Sequence, residues 1–184
     1  MSDKYSKCRS CPAYHLLTEK RKAQIDYWEE KRDSFVNRMK QVKLILIGES
    51  MPNSRYFYDL NTNYDHDGLR FTLKDEFGKN DINDGLFLIS MCRKGIILFD
   101  CALCPLHKLD DNILMRKAAT HCFLTINIEK IEELKHIPIV TIFPSNRGWN
   151  VSELPLSIKN RIVGNFGFSS QFGLASLFEQ IKKQ

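Results

Sequence analysis

The sequence contains no run of about 18 apolar residues, so no helix is expected to span a membrane. It opens on MSDKYSKCRSC, which lacks the apolar stretch of a secretory signal; a cytoplasmic protein is the expectation. Disulfides are rare in that compartment. Internal repeats, low-complexity tracts and linker-like composition are also missing. The 184 residues therefore read as one domain, 1–184, with enough chain for a sizeable core. Nor is there a large excess of one charge: a net +5 and a pI near 8.9 permit a polyanionic partner without demanding one. No lysine stands out as a Schiff-base nucleophile. The remaining composition, 43% apolar and 27% charged, is that of an ordinary soluble globular chain.

The chain is organised around residues 42–58, VKLILIGESMPNSRYFY. Val42, Leu44, Ile45, Leu46 and Ile47 form a nearly continuous apolar run, the pattern of a strand covered on both faces. The run stops at Gly48, and Glu49 and Ser50 follow in a turn-rich segment. A carboxylate just past the end of a buried strand sits where open α/β sheets bind ligands. Tyr56, Phe57 and Tyr58 supply a candidate flat wall. The plainer reading is a capping acid beside core aromatics.

Before this stretch, residues 18–40 read as a highly charged helix with Ile25, Trp28, Phe35 and Met39 on one stripe and its Lys and Arg in solvent. After it, 59–68 reads as an exposed loop, whose Asp65-His66-Asp67 is more simply solvated than metal-binding. Residues 69–93 read as one or two helices broken near 78–85. Strands are expected at 96–99, 137–143 and 161–168, and helices at 112–134 and 171–183. Strands alternating with helices predict a three-layer α/β/α sandwich with a central, mainly parallel sheet.

Six cysteines in a reducing compartment point to metal or reactivity. Cys8-x2-Cys11 with Cys101-x2-Cys104 suggests a structural zinc site. Cys8, Cys11, Cys104 and Cys122 suit a four-iron cluster. Cys101, next to Asp100 at a strand end, and Cys92, in an apolar helix, are most simply small core residues. Six unligated thiols is the remaining alternative.

With these residues in view, the chain resembles the uracil-DNA glycosylase superfamily, closest to its iron–sulfur family four and archaeal-type relatives. An N-terminal CxxC precedes a strand ending in Gly48-Glu49, similar to the family's GEAPG motif, and an aromatic stretch follows. A later strand ends in Asp100, four positions before Cys104, and Cys122 comes seventeen intervening residues on. The resemblance implies an α/β/α glycosylase fold, DNA as partner and a monomer. It also implies a 4Fe-4S cluster on Cys8, Cys11, Cys104 and Cys122, with structural zinc as the alternative. The expected reaction is monofunctional N-glycosidic cleavage of a flipped base. Glu49 would stabilise the sugar cation and orient water, with Ser50 holding that water. Gly48, Phe57, Tyr58 and Asp100 would line the base pocket, and Ser169 or Ser170 would receive charge on the departing base. Arg55, Arg147 and Phe172 would contact DNA, with Trp149 a further wedge candidate but more often core.

The departures matter. Ser50-Met51-Pro52 replaces the motif's Pro-Gly, Arg55 stands where a second acid is common, and the late His-Pro-Ser motif has no histidine-bearing counterpart in 165–171 or 143–146. Asp100 stands where uracil-excising relatives carry asparagine; an ionised carboxylate only accepts. The expectation is therefore an amino-bearing base, such as a modified cytosine of phage DNA in a defence role, over plain uracil excised in base repair. A catalytically inactive nucleic-acid-binding iron–sulfur protein and a zinc-dependent hydrolase are the competing classes. A structural acid that supports the site without touching a base is the plainer reading of Asp100.

Overall fold

The computed structural model describes residues 4–52, 56–60, 69–142, 149, 151–166 and 173–181. Its strands are β1 (Leu44–Ser50), β2 (Ile96–Ala102), β3 (Ile139–Thr141) and β4 (Ile162–Asn165). They form one four-stranded sheet in the order β2-β1-β3-β4, with every pairing parallel. Leu44 to Ile47 are fully buried because β1 has a strand on each side. Strand order reverses between β1 and β3, and open α/β sheets form a crevice at such a reversal, beyond the strand C-termini. Two strands run further than the apolar runs suggested, β1 through Glu49 and Ser50 and β2 through Asp100 and Cys101, while β3 is shorter than the expected 137–143. Both acids thus stand on the sheet itself.

The helices are α1 (Glu19–Val36), α2 (Leu69–Glu76), α3 (Asp84–Lys94), α4 (Asn112–Cys122), α5 (Ile128–Glu133), α6 (Leu156–Lys159) and α7 (Leu174–Ile181). Thr18 caps α1 by accepting from the Arg21 N–H (3.2 Å), and Asn83 caps α3 by accepting from the Leu86 N–H (2.9 Å). Gly95 ends α3 at φ 75°, where an added Cβ would meet the Gln41 carbonyl at 2.3 Å. Among the described residues, no helix is long and apolar enough to cross a membrane.

Two expectations need correcting. Residues 112–134 are not one regular helix, because Phe123–Asn127 forms a π-helical turn between α4 and α5. The charges of α1 are also not all in solvent: Arg21, Glu29 and Arg32 are buried. Arg21 donates to the carbonyls of Pro52 (2.8 Å), Met51 (3.1 Å) and Leu103 (2.6 Å), tying the exits of β1 and β2 to this helix. Arg32 pairs with Glu29 (3.3 Å) and Asp33 (2.8 Å), and its guanidinium lies 5.0 Å from the Phe99 ring centre. Charged and apolar residues share one stripe, which hides the buried face from a hydropathy reading.

Candidate active site

Register sets the geometry. Gly48 pairs with Asp100 across β1 and β2, so the base-reading candidate stands one residue from Glu49 on the neighbouring strand. A Cβ on Gly48 would lie 2.6 Å from Asp100 Oδ1, so the carboxyl occupies space that any larger residue would take. Glu49, Ser50, Asp100, Tyr56, Phe57 and His107 line one cavity of about 330 Å³, with Gly48, Pro52, Leu69, Leu98 and Ile142 completing its wall. That volume is at the small end of the range for small-molecule sites. The cavity opens where β1 and β2 end, as the strand order leads one to expect.

Asp100 is buried, and burial pushes its carboxyl up to about 7. The nearby guanidinium groups of Arg32 and Arg21 pull it down and Glu49 pushes it further up, but desolvation outweighs them. Its backbone carbonyl accepts from Asn127 Nδ2 (2.8 Å), which also donates to the Cys101 carbonyl (3.3 Å). The π-helical turn therefore carries a buried amide that fixes the end of β2. Such turns are frequent at functional sites, and nothing in the sequence periodicity announced this one.

The aromatic wall differs in detail from the sequence expectation. Phe57 lines the cavity, and so does Tyr56, whose ring stacks on Trp28 at 5.1 Å. Tyr58 is not among the lining residues; its hydroxyl accepts from the Leu98 N–H (2.8 Å) and donates to the Leu98 carbonyl (3.4 Å), as a core residue pinned to β2. Buried Arg70 holds the segment in place by donating to the carbonyls of Tyr56 (3.1 Å), Phe57 (3.0 Å) and Asp59 (3.1 Å) and pairing with Asp84 (2.6 Å). Ser50 Oγ accepts from the Leu106 N–H at 3.4 Å, which joins the 3-10 turn Leu106–Lys108 to the end of β1. His107, on that turn, is a titratable cavity residue that sequence reasoning missed, as it missed the apolar Leu69, Leu98 and Ile142. The histidine stands three positions after Cys104, within CALCPLHK, and only the turn shows where it lies.

Trp149 is buried edge-on against Phe123, with ring centres 4.3 Å apart, which fits a core residue and not a wedge. Arg55, Arg147, Ser169, Ser170 and Phe172, and the Asp65–Asp67 cluster, lie outside the described residues.

The cysteines sort into two groups. Cys8, Cys11, Cys104 and Cys122 all line one small apolar pocket of about 10 Å³, with Ala13, Leu17, Leu103 and Ala118 around them. Cys101 is buried but does not line it, so the two-CxxC set is not assembled. Cys92 packs against α1, its thiol donating to the Phe35 carbonyl (3.5 Å). Burial pushes the thiols of Cys11 and Cys122 up and that of Cys104 to about 12. All six are free thiols. Among the described residues, no group of three or more His, Cys, Asp or Glu side chains is arranged to hold a metal ion.

Compared with protein-family models, curated proteins and solved structures, the chain matches none of them.

Proposed function

We propose that this chain is a monofunctional DNA N-glycosylase with a three-layer α/β/α fold. It would hydrolyse the bond between deoxyribose and a modified or amino-bearing pyrimidine such as a modified cytosine. One observation carries the reading: Glu49 and Asp100 share one cavity at the C-terminal edge of the sheet, and their surroundings differ. One carboxyl half-exposed and one buried and held neutral up to about pH 7 is the arrangement that divides acid from base.

In the proposed step, water attacks C1′ while the C1′–N bond breaks and its electron pair passes to the base. Glu49 accepts the water's proton and stabilises the sugar cation. Neutral Asp100 donates to a ring nitrogen of the departing base and accepts from its exocyclic amine. The proton gained by Glu49 returns to Asp100 through solvent. Phe57 and Tyr56 face the base, and Ser50 ties the water-holding strand end to the His107 turn.

A second reading, plain uracil, is favoured by the same protonation state. A neutral carboxyl offers one donor and one acceptor, as an asparagine amide does, and turning it over fits either pyrimidine edge.

The reading extends to a 4Fe-4S cluster on Cys8, Cys11, Cys104 and Cys122. What supports it is the donor set, four thiols around one apolar pocket, and not a preformed cage. When bound, such a group would tie the N-terminal segment to β2 and α4 and take no part in the bond cleavage.

The test is release of base from oligonucleotides bearing uracil, hypoxanthine, 5-methylcytosine or 5-hydroxymethylcytosine. Glu49→Gln is expected to lower release at least a hundredfold, the lower bound for losing a positioned base. If the wild type frees no base from any of them, the binding-protein reading replaces this one.

A further inference from the structure

The turn Leu106–Lys108 is a wall shared by two concavities. His107 faces the acid cavity, while Pro105 and Lys108 line a second groove of about 560 Å³ together with His15, Lys20 and Arg21. A second link joins them: Arg21 lines the groove, and its guanidinium donates to the carbonyl of Pro52, which lines the acid cavity. Among the described residues, no carboxylate lines the groove. Of the acids nearest in sequence, Glu19 pairs with Lys22 (2.6 Å), Asp110 does not line the groove, and Asp111 caps α4 by accepting from the Ile113 N–H (2.7 Å). Thr18, the cap of the 18-residue helix α1, also lines it, so the positive end of that helix points the same way. Arg21 is 5% exposed, and its Nε–H is buried without an acceptor. The remaining acids of α1, Asp26, Glu29, Glu30 and Asp33, lie around a separate shallow site together with Lys4.

We propose that this groove is the track for the phosphodiester backbone of the strand whose base enters the acid cavity, with Lys20, Lys108 and His15 contacting phosphates. It rests on the glycosylase reading only in naming which strand lies there; DNA binding alone tests it. Phosphate contacts release condensed counterions, so each one steepens the fall of affinity with salt.

The experiment measures binding of fluorescein-labelled duplex and single-stranded oligonucleotides by anisotropy across a potassium chloride series. Lys20→Gln/Lys108→Gln is compared with wild type, with Lys20→Arg/Lys108→Arg, and with the equal-charge control Lys135→Gln/Lys159→Gln. The control pair precedes β3 and β4, on the half of the sheet away from β2. The groove variant is expected to flatten the plot of log affinity against log salt by about 1.8 on duplex, or about 1.4 on a single strand. Which strand form gives its own value identifies the bound form. The arginine pair is expected to keep the wild-type slope, and melting temperatures to agree across all four proteins. An unchanged slope, an equal change in the control pair, or no DNA binding by wild type would overturn the proposal. A groove-dependent slope without release of any base would leave the track standing and remove the glycosylase reading.

Discussion

At Asp100 desolvation outweighs two nearby guanidinium groups, and the consequence reaches both stability and chemistry. The carboxyl titrates near 7 in the fold, against an ordinary value of 3.8. Between those values the folded protein holds a proton that the unfolded chain has lost. The associated stability is fully present below about pH 4 and disappears as pH rises through 7. A carboxamide in its place would have no such dependence. Asp100→Asn is therefore expected to match wild type near pH 4 and to exceed it by a few kcal/mol at pH 8, at about 1.4 kcal/mol for each tenfold change in proton affinity. Urea denaturation at a series of pH values measures this, and a constant difference from pH 4 to 8 would place the titration elsewhere. Base release by wild type should fall above about pH 7, as the donor to the ring nitrogen is lost. The close approach of Asp100 to Gly48 explains why a glycine ends the apolar run: its absent side chain leaves the space that the Asp100 carboxyl fills.

At the scale of elements, the acid cavity is assembled by strands that the sequence announces and by fasteners that it does not. The run before Gly48 and the apolar residues before Asp100 were legible because a doubly covered strand needs apolar side chains on both faces. Cys8, Cys11, Cys104 and Cys122 converge on one pocket, the set that the resemblance implied, whereas spacing alone offered Cys101 as readily. Tyr58 was misjudged because an aromatic wall and an aromatic core have the same composition; only the hydroxyl's bonds to Leu98 separate them. Asn127 and Arg70 were invisible for another reason. Each is a polar residue whose burial depends on carbonyls contributed by distant segments, and no local pattern encodes such a partner. Arg70 is the more exposed to test. Replacing it with Met removes the donor to three buried carbonyls and leaves Asp84 paired with Lys74 alone (3.3 Å), and is expected to destabilise the fold by at least roughly 3 kcal/mol, at about 1–3 kcal/mol for each buried acceptor left unsatisfied. Hydrogen exchange at residues 56–59 should accelerate more than exchange in β1. Uniform acceleration would mean that Arg70 holds the whole fold and not this wall.

Across the whole molecule, the thiol pocket is where sequence-distant parts meet. The 3-10 segment Lys4–Ser10 brings Cys8, the residues after β2 bring Cys104, and the end of α4 brings Cys122. Lys7 reaches Glu129 (3.3 Å) and the Lys7 carbonyl contacts His121 Nε2 (3.1 Å), so polar bonds accompany the apolar contact at its rim. If the thiols are only core, Cys122→Ser exchanges one small group for another and alters little beyond its acceptance of the Leu103 N–H (3.3 Å). If they hold a cluster, the same change removes a cross-link that closes a loop of roughly a hundred residues, for which chain entropy alone gives about 4–5 kcal/mol. The two cases separate in one preparation made without oxygen. The cluster reading expects brown wild-type protein absorbing near 400 nm, with iron and acid-labile sulfide in equal amounts, and a colourless Cys122→Ser variant that melts well below it. Because the pocket adjoins the groove through Leu17 and Cys104, whose sequence neighbours Thr18 and Pro105 line it, that variant should also bind DNA more weakly. Colourless wild type melting with the variant would make the four thiols packing alone, and the track and acid cavity would then stand or fall without them.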